Sequence, residues 1–265
     1  MATKFSDIAK ASKDLLNDDY TSKFVLKAKK PAGPVTVTIE TEQDKTGALT
    51  SKVGTKFSYA KFSVDKGQFK PDGSKVLETS LAVSPDLKLS FKTSKGADLG
   101  FDFKKGSLAA TGTLDVMGLS KLSTSACYGL PSGLIVGADA TYTFAENKGL
   151  TAFGYGFGYG SGPMKASITG TSKNAYTIGL LYKVNDDLSV ASETVHSADK
   201  LCTVSAIGGA YKVPTVGTLK AKMGSDGILN ACLVSEVVPK VTFVASGSVN
   251  PSDLSTFKPG FQINM

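Results

Sequence analysis

The chain has no arginine: all 30 of its cationic side chains are lysines, set against 23 carboxylates. Proteins that read phosphates or base edges rely on the planar arginine fork, which lysine does not offer. The formal charge of +7 therefore reads as a diffuse field, and nucleic acid is not an expected partner. Histidine is nearly as scarce. His196 stands alone, which excludes a two-histidine metal site and a matched histidine pair, and no G-x-S-x-G elbow accompanies it. Cys127, Cys202 and Cys232 are widely separated, lack a CxxC spacing and leave an odd one over. Neither a disulfide framework nor a zinc site is expected. No G-x-x-x-x-G-K-[ST] phosphate loop occurs. The chain should be no enzyme and should need no cofactor or metal.

Long apolar runs are also missing. No stretch of about 18 apolar residues exists, so no membrane-spanning helix is expected. Residues 1–20 lack the apolar core of a secretory signal, and their acidic residues argue against a cleaved transit peptide, so this segment is expected to belong to the working protein.

What the chain has in abundance is alternation. Phe24, Leu26 and Ala28 alternate with Lys23, Lys27 and Lys29; Val35, Val37 and Ile39 with Thr36, Thr38 and Glu40. The same period of two runs through Leu87–Lys92, Leu99–Lys104, Val136–Phe144, Leu219–Met223 and Phe257–Asn264. Short breaks rich in turn formers separate the runs: Asp44–Gly47, Pro71–Gly73, Ser94–Gly96, Asn147–Gly149, Asn185–Asp187, Asp226–Gly227 and Asn250–Asp253. Tight turns between segments of about ten residues predict an antiparallel meander without linkers. Dividing the chain beyond residue 21 into units of roughly 13 residues gives about 19 strands, and ten residues tilted near 45° stand roughly 23 Å tall, close to the ~25 Å apolar band of an outer-membrane barrel. A meander this long closes rather than leave its edges bare. A soluble lipid-binding β protein would turn the apolar face inward, around an interior far wider than side chains can fill. An apolar content of only 41% with 28 glycines fits a wall with one greasy face and one wet one. The predicted fold is an all-β transmembrane barrel, residues 22–265, preceded by residues 1–21.

That first segment has a different period. Phe5, Ile8, Ala9, Leu15 and Leu16 fall on one face of a helix over 5–16, interrupted only by Ser12, with Asp7, Lys10, Lys13 and Asp14 opposite. Ser6 is the expected N-cap, with Asp7 suited to the positive end of the helix dipole. About three turns do not hold alone in water, so the helix must lie against something. Phe153–Gly160 reads FGYGFGYG. Its aromatic face suits lipid, and its bare glycine face leaves the lumen open for the helix to lie close. The same Gly-x-Gly spacing opens no helix, so it is no phosphate loop.

Three stretches carry a family resemblance: FSDIAKASKDLLNDDY at the N-terminus, KVNDDLSVASE over Lys183–Glu193, and LKAKMGSDGILNACLVSEVVPKVTFVASGSVN over Leu219–Asn250. Together they resemble the mitochondrial porin family, the voltage-dependent anion channels. The resemblance implies a 19-stranded barrel, with first and last strands closing in parallel and the N-terminal helix inside the pore. It also implies a voltage-gated, weakly anion-selective channel of the mitochondrial outer membrane. Such a channel passes nucleotides, phosphate, organic anions and chloride, with membrane lipids around it and possible assembly with copies of itself. The related protein-import pore shares the barrel type but fits the N-terminal and C-terminal patterns less well. Two departures stand out. The family's Gly-Leu-Lys stretch, linked to nucleotides, aligns with Asp86-Leu87-Lys88, which keeps Leu87 and Lys88 without the glycine. The membrane-facing glutamate of animal members aligns with Val64, with Asp65 beside it turned to the lumen. The residues expected to line the pore and set its selectivity are Asp7, Lys10, Lys13, Asp14, Lys88, Lys92, Lys220 and Lys222.

Overall fold

A computed structural model describes residues 2–44, 46–145, 148–198 and 202–265. Asn147 of the predicted Asn147–Gly149 turn and the side chain of Cys202 lie outside the described residues, as does Lys45 within the Asp44–Gly47 turn. The period of two is realised as nineteen strands. They are β1 (Phe24–Ala32), β2 (Val35–Gln43), β3 (Leu49–Tyr59), β4 (Phe62–Phe69), β5 (Lys75–Ala82), β6 (Leu87–Thr93) and β7 (Ala97–Lys105). Next come β8 (Leu108–Asp115), β9 (Lys121–Gly129), β10 (Leu134–Thr143), β11 (Gly149–Ser161), β12 (Met164–Thr171) and β13 (Ala175–Lys183). The set ends with β14 (Leu188–Ser197), β15 (Cys202–Val213), β16 (Gly217–Gly224), β17 (Leu229–Val238), β18 (Val241–Asn250) and β19 (Asp253–Asn264).

Each strand pairs antiparallel with its neighbour in sequence, and β1 closes on β19 in parallel. The seam is short: Phe24–Lys27 pair with Phe261–Asn264, and Met265 adds a bond to Lys27 and one to Lys29. Beyond it, the upper part of β1 borders no strand of β19, which is where Pro31 sits; proline lacks the N–H that an inner strand would need.

The apolar side faces outward, as alternation predicts. Phe153, Tyr155, Phe157 and Tyr159 of β11 are exposed on the outer surface while Gly154, Gly156 and Gly158 between them are buried on the inner one. Leu99, Phe101 and Leu108 also lie open on the outside. A sheet with exposed apolar side chains round its whole outer face belongs in hydrocarbon.

The rule that apolar means outward fails beneath the N-terminal helix. By register, Leu181 of β13, Ala191 of β14 and Ala206 and Ala210 of β15 face the lumen, and there they pack with Leu15 and Leu16. These are the partners the N-terminal segment needed. That segment is not the single helix over 5–16 that its spacing predicts. A 3₁₀ turn covers Phe5–Asp7 and an α-helix, α1, covers Lys10–Asn17. Ser6 caps neither, because it lies inside the turn and no side chain caps either element. Ala9, at φ −95° and ψ 8°, breaks the helix. The curvature of the wall explains the break: Phe5 and Ile8 lie against β10 and β11, whereas α1 lies against β13, β14 and β15. One straight rod could not touch both.

The glycine face of β11 is occupied as predicted. A Cβ added at Gly156 would meet Ile8 Cδ1 at 2.9 Å and Phe5 Cε2 at 3.1 Å, and one at Gly158 would meet Ile8 Cγ2 at 3.2 Å. Under α1 the same device recurs at Gly179, where a Cβ would run into Ser12, and at Gly208, where one would meet Leu16 Cδ2 at 2.9 Å. Ser12 is tolerated on the buried face because its hydroxyl donates to the Ala9 carbonyl oxygen at 3.2 Å.

Gly156→Leu is expected to lift the Phe5–Ile8 turn from the wall while leaving the barrel closed. Buried Cys127, which lies beneath Phe5 next to Gly137, should then react faster with a maleimide in detergent; an unchanged labelling rate would refute the docking. Leu16→Ala should loosen α1 by about 2–5 kcal/mol, the usual loss for a buried leucine, read as faster amide exchange over 10–17.

Candidate functional site

The functional surface of a single-walled barrel is its inner face, and here it has two unlike halves. Over β13–β15 it carries Gly179, Leu181, Ala191, Ala206, Gly208 and Ala210 beneath α1, with Glu193 the charged residue in the row between Gly179 and Ala206. Over β1–β6 it is open and studded with charge. Lys27, Lys29, Lys52, Lys56, Lys66, Lys88 and Lys92 face the lumen there, against Glu40, Glu42, Asp65 and Glu78. The lysine-bearing wall thus lies opposite the helix.

The N-terminal segment is pinned electrostatically at both ends. Near its start, Lys4 forms an ion pair with Asp102 of β7. After its end, Asp19 accepts from Lys220 of β16 at 2.6 Å. Lys222 lies 4.7 Å above the centre of the Tyr20 ring and donates to Asn17 Oδ1 at 3.4 Å, a weaker contact. Both lysines therefore stand at the negative end of the α1 dipole. Burial pushes the Tyr20 phenol well above its ordinary range, with the nearby Cys232 and Asp19 groups acting the same way. Ser246 completes the anchor: its hydroxyl donates to the Thr21 carbonyl oxygen and accepts from the Thr21 N–H at 3.2 Å.

The residues singled out in the sequence fall into three groups. Lys10 and Lys13 are exposed on the water side of α1, whereas Asp7 and Asp14 are half-buried. Asp7 lines a cavity of about 720 Å³ between the N-terminal segment and the wall, with Ile8, Ser12, Gly158 and Lys165. Lys88 and Lys92 of β6 face the lumen in ion pairs, with Asp65 at 3.2 Å and Glu78 at 3.1 Å. Lys220 and Lys222 hold the linker, as described above. Leu87 is a neighbour of Phe103 on the outer face, and only Lys88 of the pair points to the water.

Two features were beyond sequence reading. The ion pairs Lys4–Asp102 and Asp19–Lys220 join residues remote in the chain, and nothing local marks them. The other is a β-bulge in β4. Val64 pairs with Phe57 and Thr79 on the outer side, but Lys66 pairs with Glu78 and Gly67 with Thr55, so the register slips at Asp65. Asp65 and Lys66 consequently both turn inward. Asp65 Oδ2 accepts from Ser80 Oγ at 2.5 Å and from Lys88 Nζ.

The model of the eukaryotic porin family matches residues 2–260. A non-selective voltage-gated ion channel, VDAC2, from Meleagris gallopavo is 21% identical over 95% of this chain and 89% of its own length. Mitochondrial outer membrane protein porin 5 of Oryza sativa is 26% identical over 94% of this chain and 92% of its own. The mitochondrial outer membrane protein porin of Candida albicans is 22% identical over 98% and 97%. Among solved structures, a mutant Rh. blastica porin superposes with a TM-score of 0.52 at 10% identity, covering 80% of this chain and 88% of that one; this likeness concerns the fold alone.

If the two ion pairs hold the segment, its protection should depend on salt. Raising ionic strength from about 0.1 M to about 1 M shortens the screening length from ~10 Å to ~3 Å and should speed proteolysis of residues 2–20. In an Asp19→Asn, Asp102→Asn double variant the cleavage should be fast already and insensitive to salt. Equal salt dependence in both proteins would refute the clamp.

Proposed function

The chain belongs to the eukaryotic porin family, and from that premise we propose that it is a voltage-gated, weakly anion-selective channel of the mitochondrial outer membrane. It passes small hydrophilic solutes: chloride, phosphate, organic anions and nucleotides. The observation that carries the reading is the open lysine-bearing wall over β1–β6, enclosed by a sheet whose other face is apolar. The work is passage rather than catalysis.

Size and charge fix what such a pore does. Nineteen strands about 4.8 Å apart and tilted near 40° enclose a backbone radius of roughly 18–20 Å, or about 13 Å inside the side chains. At physiological salt the Debye length is about 8 Å, so wall charge fades before the axis. Anions are favoured near the wall, yet cations still pass along the middle. That arithmetic makes selectivity weak.

The N-terminal segment, residues 1–21 as a unit distinct from the barrel, narrows one side of the lumen by the width of a helix. Its exposed Lys10 and Lys13 add cationic charge at the constriction. Lys88, Lys92, Lys220 and Lys222 contribute to the field, although each is already engaged with a partner. Leu87 and Lys88 form the weakest case for nucleotide contact, since Lys88 is held by Asp65. Voltage dependence follows from moving charge across the membrane field, worth about 2.3 kcal/mol per charge per 100 mV, and the clamped segment is the movable charged element. The continuous apolar exterior lets copies of the barrel lie side by side in the membrane.

Lys10→Glu with Lys13→Glu should lower the anion-to-cation preference in reversal-potential measurements across a planar bilayer. A ratio equal to that of the unaltered channel would take the helix out of the selectivity mechanism.

A further inference from the structure

We propose that the recess between the N-terminal segment and the wall is a binding site for a small zwitterion, which staples the segment to β12. The recess is the cavity of about 720 Å³ that Asp7 lines, with the segment on one side and β9–β13 on the other. Among the described residues, two charged ones line it: Asp7 on the segment and Lys165 on the wall. Lys165 pairs with lumen-facing Leu181 and so turns inward as well.

These two charges are opposite in sign, yet among the described residues neither has an ion-pair partner, and they do not reach each other. At its two ends the segment meets the wall through direct ion pairs, Lys4 with Asp102 and Asp19 with Lys220. Between those ends the pairing of Asp7 with Lys165 is left open. The space it faces is far larger than a bridging water, whose share of liquid volume is about 30 Å³.

The lining selects the class of ligand. One carboxylate and one ammonium sum to zero, so neither a metal cation nor a phosphate finds net opposite charge there. A molecule carrying both signs satisfies both arms: its ammonium donates to the Asp7 carboxylate, and its carboxylate accepts from Lys165. Each is a charge-assisted hydrogen bond, the stronger kind. Ile8 and Ile135 offer a carbon chain an apolar surface, and Thr3 and Ser107 add hydroxyls. A few placed polar groups in a concave, partly apolar space are the usual form of a small-molecule site. An ω-amino acid has this outline.

Occupancy acts on the segment. The ligand needs Asp7 and Lys165 together, which the docked segment alone provides, so binding stabilises docking by linkage. At ten times its Kd the ligand lowers the undocked fraction about elevenfold. With the segment as the movable charged element of the pore, an occupied recess raises the voltage needed for closure. That consequence rests on the channel reading above; the site itself does not.

The test is limited proteolysis of residues 2–20 in the detergent-solubilised full chain. Glycine, 4-aminobutanoate and 6-aminohexanoate serve as probes that set the two charges progressively farther apart. All samples are held at one ionic strength, because the ion pairs at the ends are sensitive to salt. At saturation at least one probe should slow cleavage about tenfold, while butylammonium or butanoate at the same concentration should not. Lys165→Gln, an exposed position on the wall, should abolish the protection, and Asp7→Asn should do the same. No protection by any probe would overturn the site. So would protection that a singly charged control reproduces, or that survives Lys165→Gln. In planar bilayers the protecting probe should raise the voltage of half-closure in the unaltered protein and have no effect on Lys165→Gln. A chain that the probe protects yet that forms no pore defeats the channel reading and leaves the site standing.

Discussion

A one-layer sheet in hydrocarbon must pair every backbone N–H and C=O within itself, since lipid offers no substitute for a missing partner. Everything else about this molecule follows from that requirement. Eighteen antiparallel pairings satisfy the strands along the chain, and the parallel contact of β1 with β19 removes the last edge. The closing contact is also the briefest, four paired positions and two bonds from Met265. Its limited length is matched by what lies beside it: the lower part of β19 is met by the linker, where Gly260 lies against Thr21 and Ser22, and the upper part of β1 contains a proline. The segment that narrows the pore therefore also helps cover the flank of the seam.

Closing the sheet leaves an interior too broad for side chains to fill, so the inner face must be wet except where something covers it. The N-terminal segment covers one sector, and the wall beneath has become small and apolar to receive it. Ile8 rests on Gly156 and Gly158, Ser12 on Gly179, and Leu16 on Gly208. The bare sector is where lysine collects. The contrast between the docked sector and the open, charged one gives an asymmetric lumen.

The fold could be read from the chain because its period is simple and long-sustained. FGYGFGYG announced both faces of β11, and Leu87, Leu89 and Phe91 announced the outer face of β6. Three things escaped, each for a definite reason. The period of two marks apolar residues as outward, but Leu181 and Ala191 obey a covering helix that no local pattern reveals. The helical spacing of Phe5 through Leu16 says nothing of the curvature of the wall, so the break at Ala9 could not be foreseen. The bulge at Asp65 reverses the phase of β4, placing Phe62 and Phe69 on the same outer face although they are seven residues apart. Among the candidate site residues, lumen orientation was legible for Lys88, Lys92, Lys220 and Lys222. Their acidic and aromatic partners, Asp65, Glu78, Asp19 and Tyr20, were not, since pairing across strands depends on register rather than sequence.

An odd number of strands has a topographical consequence. A chain that crosses nineteen times finishes at the rim opposite the one where β1 begins. The two mouths open into different compartments, and a tether attached after Met265 would hang from the rim that β19 reaches and leave the other mouth unobstructed.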